Sequence, residues 1–141
     1  MDYREAYEKA LQLLNVRFLS EGELKAKLRR RGVDDDVLKD VVAALEGEHF
    51  LDDQRLARDV YRYYARKGQY GHLYIVTRLR RRCLPVPEDV ERPDEYALAG
   101  NLVKRKFSYR ADEARKAARF LQYRGFSPSV IRDVLEDFTV H

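Results

Sequence analysis

Apolar residues recur along this chain at helical spacing from near its start to near its end. Tyr7, Ala10, Leu11, Leu14 and Phe18 trace one stripe and predict a helix over Tyr3–Asn15, with Asp2 as its cap. A second helix is expected from Ser20, which forms a capping-box pair with Glu23, and Leu24 and Leu28 share its inner face. Gly32 supplies the left-handed residue that closes it, just behind Arg29, Arg30 and Arg31 at its negative end. Asp34, Asp35 and Asp36 start a third helix, with Val37, Leu38, Val41, Val42 and Leu45 as its apolar face. Phe50 and Leu51 read as a hydrophobic staple before an Asp cap, and a fourth helix follows from Asp53 to Lys67 with Leu56, Val60, Tyr63 and Tyr64 inward. Gly68-Gln69-Tyr70-Gly71 breaks the chain. A fifth helix, His72 to Arg82, is expected to bury Ile75, Val76 and Leu79 before Leu84-Pro85-Val86-Pro87 ends it. Pro87–Val90 opens a short sixth helix that Pro93 stops. A seventh fits Pro93–Phe107, with Ala97, Leu98, Leu102 and Val103 inward. An eighth runs from Asp112 to Arg124 and stops at Gly125. The ninth starts at Ser127-Pro128 and turns Val130, Ile131, Val134, Leu135 and Phe138 inward. No stretch reads as a strand.

The chain also repeats itself. A shift of 93 residues lays Leu28 on Leu121, Gly32 on Gly125, Val37 on Val130, Leu38 on Ile131, Val41 on Val134 and Leu45 on Phe138. A shift of 51 lays Leu24 on Ile75, Leu28 on Leu79, and Arg29-Arg30-Arg31 on Arg80-Arg81-Arg82. The fold expected is therefore all-α: three tandem three-helix repeats, at 1–53, 54–92 and 93–141, each burying its neighbour's apolar side. The middle repeat has a degenerate third helix, because Glu88, Asp89 and Arg92 stand where the outer copies carry aliphatic residues.

Charge changes the picture more than composition does. The net charge of +4 is unevenly placed. Residues 1–53 hold 9 basic and 13 acidic side chains, residues 54–87 hold 9 and 1, and residues 88–141 hold 10 and 10. The positive charge of the middle suggests a polyanionic partner. Arg55, Arg58, Arg62 and Arg66 follow three- and four-residue steps and form one basic ridge on the fourth helix. Arg78, Arg80 and Arg81 are expected exposed on the fifth; Arg82 and Arg29–Arg31 join them as candidate binding residues, although they also sit at helix C-termini where cations are favoured in any case. Tyr61, Tyr70 and Tyr74 lie among these arginines, as stacking surfaces for bases or as half-buried core.

Enzyme chemistry finds little support. His49, His72 and His141 have no ligand spacing with one another or with Cys83, so no metal or other cofactor is expected. Asp52-Asp53 is explained by a helix cap and a first-turn acid. No glycine-rich phosphate loop with its lysine is present. Gly68-x-x-Gly71 is similar to the backbone-clamping loop of KH domains, a fold that needs a sheet. A single cysteine permits no disulfide within the chain, no run approaches the length of a membrane span, and no signal-peptide apolar region stands at the N-terminus. A cytoplasmic protein is the expectation.

The ordered fragments resemble the RecX family of recombinase regulators. They are Ala10-Leu11, Arg17-Phe18-Leu19-Ser20-Glu21-Gly22-Glu23-Leu24, Leu28 and Gly32-Val33; then Phe50-Leu51-Asp52-Asp53, Leu56-Ala57, Lys67-Gly68-Gln69-Tyr70-Gly71, Ile75 and Leu79; then Phe120-Leu121 and Arg124-Gly125-Phe126. The proline-rich segment from Cys83 to Pro93 departs from that family's hydrophobic third helix. The resemblance implies an elongated, curved protein of three three-helix repeats, monomeric and not an enzyme. It implies binding to the RecA filament on single-stranded DNA, and suppression of filament growth, ATP hydrolysis and strand exchange. Two other readings stand beside it: a helical DNA-binding regulator acting alone, with the fifth helix as groove reader, and a protein-only scaffold whose basic ridge meets an acidic partner.

Overall fold

The computed structural model describes residues 1–107 and 110–140, apart from the side chains of 111 and 138–140. Among them are eight α-helices and no strand: α1 (Tyr3–Val16), α2 (Glu21–Arg30), α3 (Asp35–Gly47), α4 (Asp53–Arg66), α5 (His72–Arg81), α6 (Glu95–Phe107), α7 (Ala114–Tyr123) and α8 (Pro128–Val140). A short 3-10 turn, Ala111–Glu113, precedes α7 where the helix was expected to begin already at Asp112. Pro87–Val90 forms no helix, and residues 84–94 run without one. The helix expected from Pro93 begins at Glu95, because Asp94 caps it: its carboxylate accepts the Ala97 N–H at 3.2 Å and its carbonyl the Leu98 N–H at 3.0 Å.

The chain packs as two compact units, Met1–Asp59 with Leu79–Pro87, and Val60–Arg78 with Glu88–His141. Residues 54–92 are divided between these two units. With no third helix after α5, they lack the element that would close a core of their own.

In the first unit α1 packs on α2 and α3, and α2 on α3. Leu24, Leu28, Leu38, Val41 and Leu45 are its innermost side chains. The capping box forms as read: Ser20 Oγ accepts the Glu23 N–H at 3.0 Å, and Glu23 Oε1 accepts the Ser20 N–H at 2.9 Å. Phe18, expected on the buried stripe, lies beyond the end of α1 and is 76% exposed, while Leu19 takes the core position. In the second unit α6, α7 and α8 pack on one another around Ala99, Val103, Phe107, Ala117, Leu121, Phe126 and Val134. Ala97 is exposed rather than inward, since it sits half a turn from the Ala99–Val103–Phe107 line. Tyr63 is likewise exposed, for the same reason relative to buried Tyr61. The Phe138 side chain lies outside the described residues.

One closure ends a helix in each of the three copies that the sequence shifts superpose. The N–H of Val33 donates to the carbonyl of Leu28 at 3.2 Å, that of Leu84 to Leu79 at 2.9 Å, and that of Phe126 to Leu121 at 3.2 Å. Each is paired with a bond from the preceding residue that spans three residues, Gly32 to Arg29, Cys83 to Arg80 and Gly125 to Gln122, all at 3.0 Å. This is the Schellman arrangement, and its penultimate residue must take positive φ. Gly32 and Gly125 do so at 85° and 81°, and Cys83 does so at 58°. The Cys83 side chain then lies against Gly22, where an added Cβ would stand 2.7 Å from the Cys83 Cβ and 3.0 Å from its Sγ.

Leu28 and Leu121 are both fully buried. Truncating either to Ala should cost about 2–5 kcal/mol in denaturant unfolding, as buried leucines do; losses well below 1 kcal/mol at both would break the repeat register. Gly22→Ala should destabilise the first unit through its clash with Cys83. Cys83→Gly alone should lie between neutral and about 1 kcal/mol stabilising, since it relieves a positive φ but loosens the unfolded chain. In the double variant the Gly22→Ala cost should shrink by about 0.5–3 kcal/mol. An equal cost in both backgrounds would show that the two side chains do not meet.

Candidate functional site

The sequence around Gly68–Gly71 builds a junction within the second unit. Gly68 takes positive φ, 63°, and turns the chain out of α4. The first amides of α5 would be orphan donors. Here the Gly71 N–H donates to the Arg124 carbonyl at 2.7 Å, the Leu73 N–H to the Gly125 carbonyl at 3.1 Å, and the His72 N–H to Glu95 Oε1 at 3.2 Å. The approach needs two bare glycines: a Cβ on Gly71 would meet the Gly125 carbonyl oxygen at 2.4 Å, and one on Gly125 would meet the Tyr74 nitrogen at 2.2 Å. Tyr70 and Tyr74 are thereby held beside Arg124.

The rings and cations on this junction alternate. Tyr70 and Tyr74 stack with centroids 4.0 Å apart and planes 5° from parallel, and Tyr64 stands edge-on to both at 6.0 and 5.9 Å. The Arg78 guanidinium donates to the Tyr74 hydroxyl at 2.7 and 3.1 Å and lies 5.1 Å from that ring's centre. Arg124 lies 5.6 Å from the Tyr70 centre and 5.0 Å from that of Phe120, and donates to Gln69 Oε1 at 3.3 Å. Lys106 continues the series over Phe120 at 4.5 Å, and Lys67 covers exposed Tyr63 at 4.7 Å. Partial burial raises the Tyr74 phenol, yet hydrogen bonds from Arg78 and Tyr70 and the charges of Arg78 and Arg124 outweigh it and hold the phenol below its ordinary value. A cation above each ring is the mutual orientation a quadrupole favours.

The structure sorts the residues expected at the site. Arg55, Arg62 and Arg66 are exposed on α4 and Arg58 is half-buried. Arg80 and Arg81 are exposed, whereas Arg78 is half-buried against Tyr74. Arg82 is not an open cation: it donates to Glu23 at 3.0 Å and to the Phe18 carbonyl at 2.8 Å, and so ties the end of α5 to the capping box of α2. Arg29 pairs with Asp35 at 3.1 Å, Arg31 donates to the Lys27 carbonyl at 3.1 Å, and Arg30 is exposed. Tyr61 offers no face for stacking, because it is fully buried with its hydroxyl 2.8 Å from His72 Nδ1. Tyr70 and Tyr74 each give one face to the other. Lys106 and Arg124 do not stand out when charge is summed over long blocks, and Phe120 carries no charge to mark it. Residues 104–124 hold eight basic and two acidic side chains, a signal that a shorter window finds. Among the described residues no helix is long and apolar enough to cross a membrane, and no three His, Cys, Asp or Glu side chains gather as metal ligands.

Residues 6–45 match the family model of the first three-helix domain of RecX, and residues 93–135 match that of its third. This chain belongs to the RecX family. The Regulatory protein RecX of Halorhodospira halophila is 38% identical to it over 133 residues, covering 87% of this chain and 81% of that protein. The Regulatory protein RecX of Geobacillus kaustophilus is 29% identical and aligns with 99% of this chain, which spans only 56% of that longer relative. The crystal structure of RecX from Lactobacillus salivarius superposes with a TM-score of 0.83 over 99% of this chain and 98% of that one, at 18% identity, so the helical repeat architecture is shared where sequence has diverged. The matched segments of the family models, 6–45 and 93–135, are the helices that form the two cores described above.

The Arg82–Glu23 pair makes a pH-dependent prediction for this RecX-family chain. Burial raises the Glu23 carboxyl, but hydrogen bonds from Arg82 and the Ser20 N–H outweigh it and leave the group below its ordinary 4.5. A carboxyl depressed on folding contributes stability above about pH 4.5, and that contribution is lost as pH falls through the depressed folded value. Arg82→Ala leaves the burial and removes the donor, so Glu23 should titrate higher by carbon NMR. The variant should be less stable at pH 7 and lose less stability on acidification than the parent in urea unfolding. Parallel losses in the two proteins would show that Arg82 does not hold the carboxyl down.

Proposed function

We propose that this RecX-family chain is a non-enzymatic regulator that binds the RecA recombinase filament on single-stranded DNA and restrains its extension, ATP hydrolysis and strand exchange. It thereby modulates recombination and DNA repair. It acts in the cytoplasm as a monomer, without metal or cofactor. The observation that carries the reading is the alternation of cations and rings in the second unit, joined to a family whose members are named regulatory proteins. Arginine forks suit phosphate and carboxylate alike. The surface of a nucleoprotein filament presents both. The residues assigned to the interface are Arg55, Arg58, Arg62 and Arg66 on α4, Arg78, Arg80 and Arg81 on α5, and Arg30 at the end of α2. The alternating series adds Lys67, Lys106 and Arg124, with Tyr70 and Tyr74 as its ordered rings.

The deciding measurement is the DNA-dependent ATPase rate of RecA filaments with and without the chain. The parent should inhibit it. Arg62→Glu, Arg66→Glu and Lys67→Glu together should weaken inhibition at least about tenfold, roughly 1.4 kcal/mol, with unchanged circular dichroism, because all three side chains are exposed. Each lost phosphate contact should flatten the salt dependence by about one unit. The matched control is Arg4, Lys27 and Lys39 to Glu in the first unit. If the control abolishes inhibition and the α4 triple leaves it intact, the interface lies elsewhere. Steep, sequence-selective DNA binding without RecA would instead favour a stand-alone DNA-binding regulator.

A further inference from the structure

The end of α1, the connection to α2 and the turn after α3 enclose a groove of about 730 Å³ in the first unit. Its walls carry Leu11 and Leu14, and its rim carries Val16, Phe18 and Phe50, which are 87%, 76% and 51% exposed. Single exposed apolar side chains are ordinary, but three around one groove make a patch. The turn that presents Phe50 closes on a left-handed residue that is not glycine. The Phe50 N–H donates to the Leu45 carbonyl at 2.9 Å and the His49 N–H to that of Glu46 at 3.1 Å, so His49 occupies the left-handed closing position, with φ 65°.

Arg17 is the charged side chain of the groove's own lining, and the acidic side chains gather in the recess beside it, so a cation is favoured at that end of an occupant. His49 also lines a neighbouring recess of about 290 Å³ whose other walls include Glu21, Glu46, Asp52 and Asp53. Lys25 pairs with Glu21 at 2.8 Å, and Asp53 accepts the Glu21 N–H at 2.9 Å. Glu46 and Asp53 are both held above their ordinary carboxyl values, by burial first and then by the negative charge of their neighbours. An occupant with an apolar face and a lysine or arginine at one end would bury the patch and relieve that crowding. A nucleic acid or an acidic segment would worsen it.

We propose that this groove docks a basic amphipathic helix of a partner protein, apolar side against Val16, Phe18 and Phe50 and cationic end in the acidic recess. Helix-in-groove recognition works by this division between apolar anchors and charged register. The groove and its recess share no residue with the interface assigned under the proposed function, so failure here would leave the filament reading untouched.

The test uses the full chain and a fluorescent helix of leucine and lysine, about 18 residues or five turns long. Two comparison peptides accompany it: one with glutamate for lysine, and one with the same composition scrambled so that no apolar face forms. The lysine helix should bind at least about tenfold more tightly than either comparison peptide. Phe18→Ser with Phe50→Ser should weaken it about tenfold, and Glu46→Lys with Asp52→Lys about fivefold or more. Amide signals of Val16, Phe18 and Phe50 should move on titration. The substituted rings are exposed, so a preserved circular dichroism spectrum is expected, and the Glu46/Asp52 variant gives an independent reading if the Phe variant fails to fold. Equal affinity of the scrambled peptide, or full affinity of both variants, would overturn the proposal. Sedimentation showing a self-associating parent and a monomeric Phe18/Phe50 variant would give the groove to a second copy of this chain instead.

Discussion

The packing of both units depends on one recurring hydrogen bond, from the amide just past a helix to the carbonyl of a buried leucine five residues earlier. A helix end leaves four carbonyls without intrahelical partners, and this bond satisfies one of them inside the core. It also reverses the chain so that the donor's own side chain points inward. Val33, Leu84 and Phe126 are accordingly 5%, 5% and 2% exposed. The left-handed residue between acceptor and donor is thus a condition of the core and not only of the turn. Gly125 meets two demands at once, a positive φ of its own and the backbone approach of Tyr74. Any side chain there would strain the turn and push α5 away together with the rings it carries.

The middle copy shows what happens when the rule is kept with the wrong residue. Cys83 adopts the left-handed conformation although it carries a Cβ, and costs of about 1–2 kcal/mol attach to that state for ordinary residues. Its neighbour Gly22 has no side chain to collide with it. The glycine missing from the closing position is matched by a glycine across the contact. The thiol needs no redox role to explain its place.

Much of this was legible in the sequence because it is local. Capping pairs, glycine stops and the 93-residue register depend on a few neighbouring residues and one period, and they reappear as bonds, positive φ angles and paired buried positions such as Val41 and Val134. What was not legible depends on tertiary placement. Tyr61 and Tyr63 differ by two positions and have the same composition, yet one is fully buried and the other is 55% exposed. Leu56, Val60, Tyr63 and Tyr64 suggest one phase for α4, but Ala57 and Tyr61 set it. Arg82 reads as a candidate binding residue because nothing local announces Glu23, fifty-nine residues away in sequence. Residues 88–141 sum to neutral, while Lys104–Arg124 is basic and the balancing acids lie outside that window.

The charge account changes again when it follows packing. The first unit holds 14 basic and 14 acidic residues and the second holds 14 and 10, so the excess of four belongs to the second. Its cations are of two kinds. Arg78 and Arg124 are fixed by hydrogen bonds to Tyr74 and Gln69 and by the rings beneath them. Arg62 and Arg66 stand exposed on α4. A long cationic side chain carries about 2 kcal/mol of rotamer entropy, and immobilising it on a partner forfeits much of that. Arginines already held on rings have lost it during folding. They therefore present positive potential at a set position with little further ordering on binding, while the exposed ones contribute reach and salt-sensitive attraction. A surface combining the two suits a partner whose charges are regularly spaced, because the fixed cations set register and the mobile ones absorb mismatch.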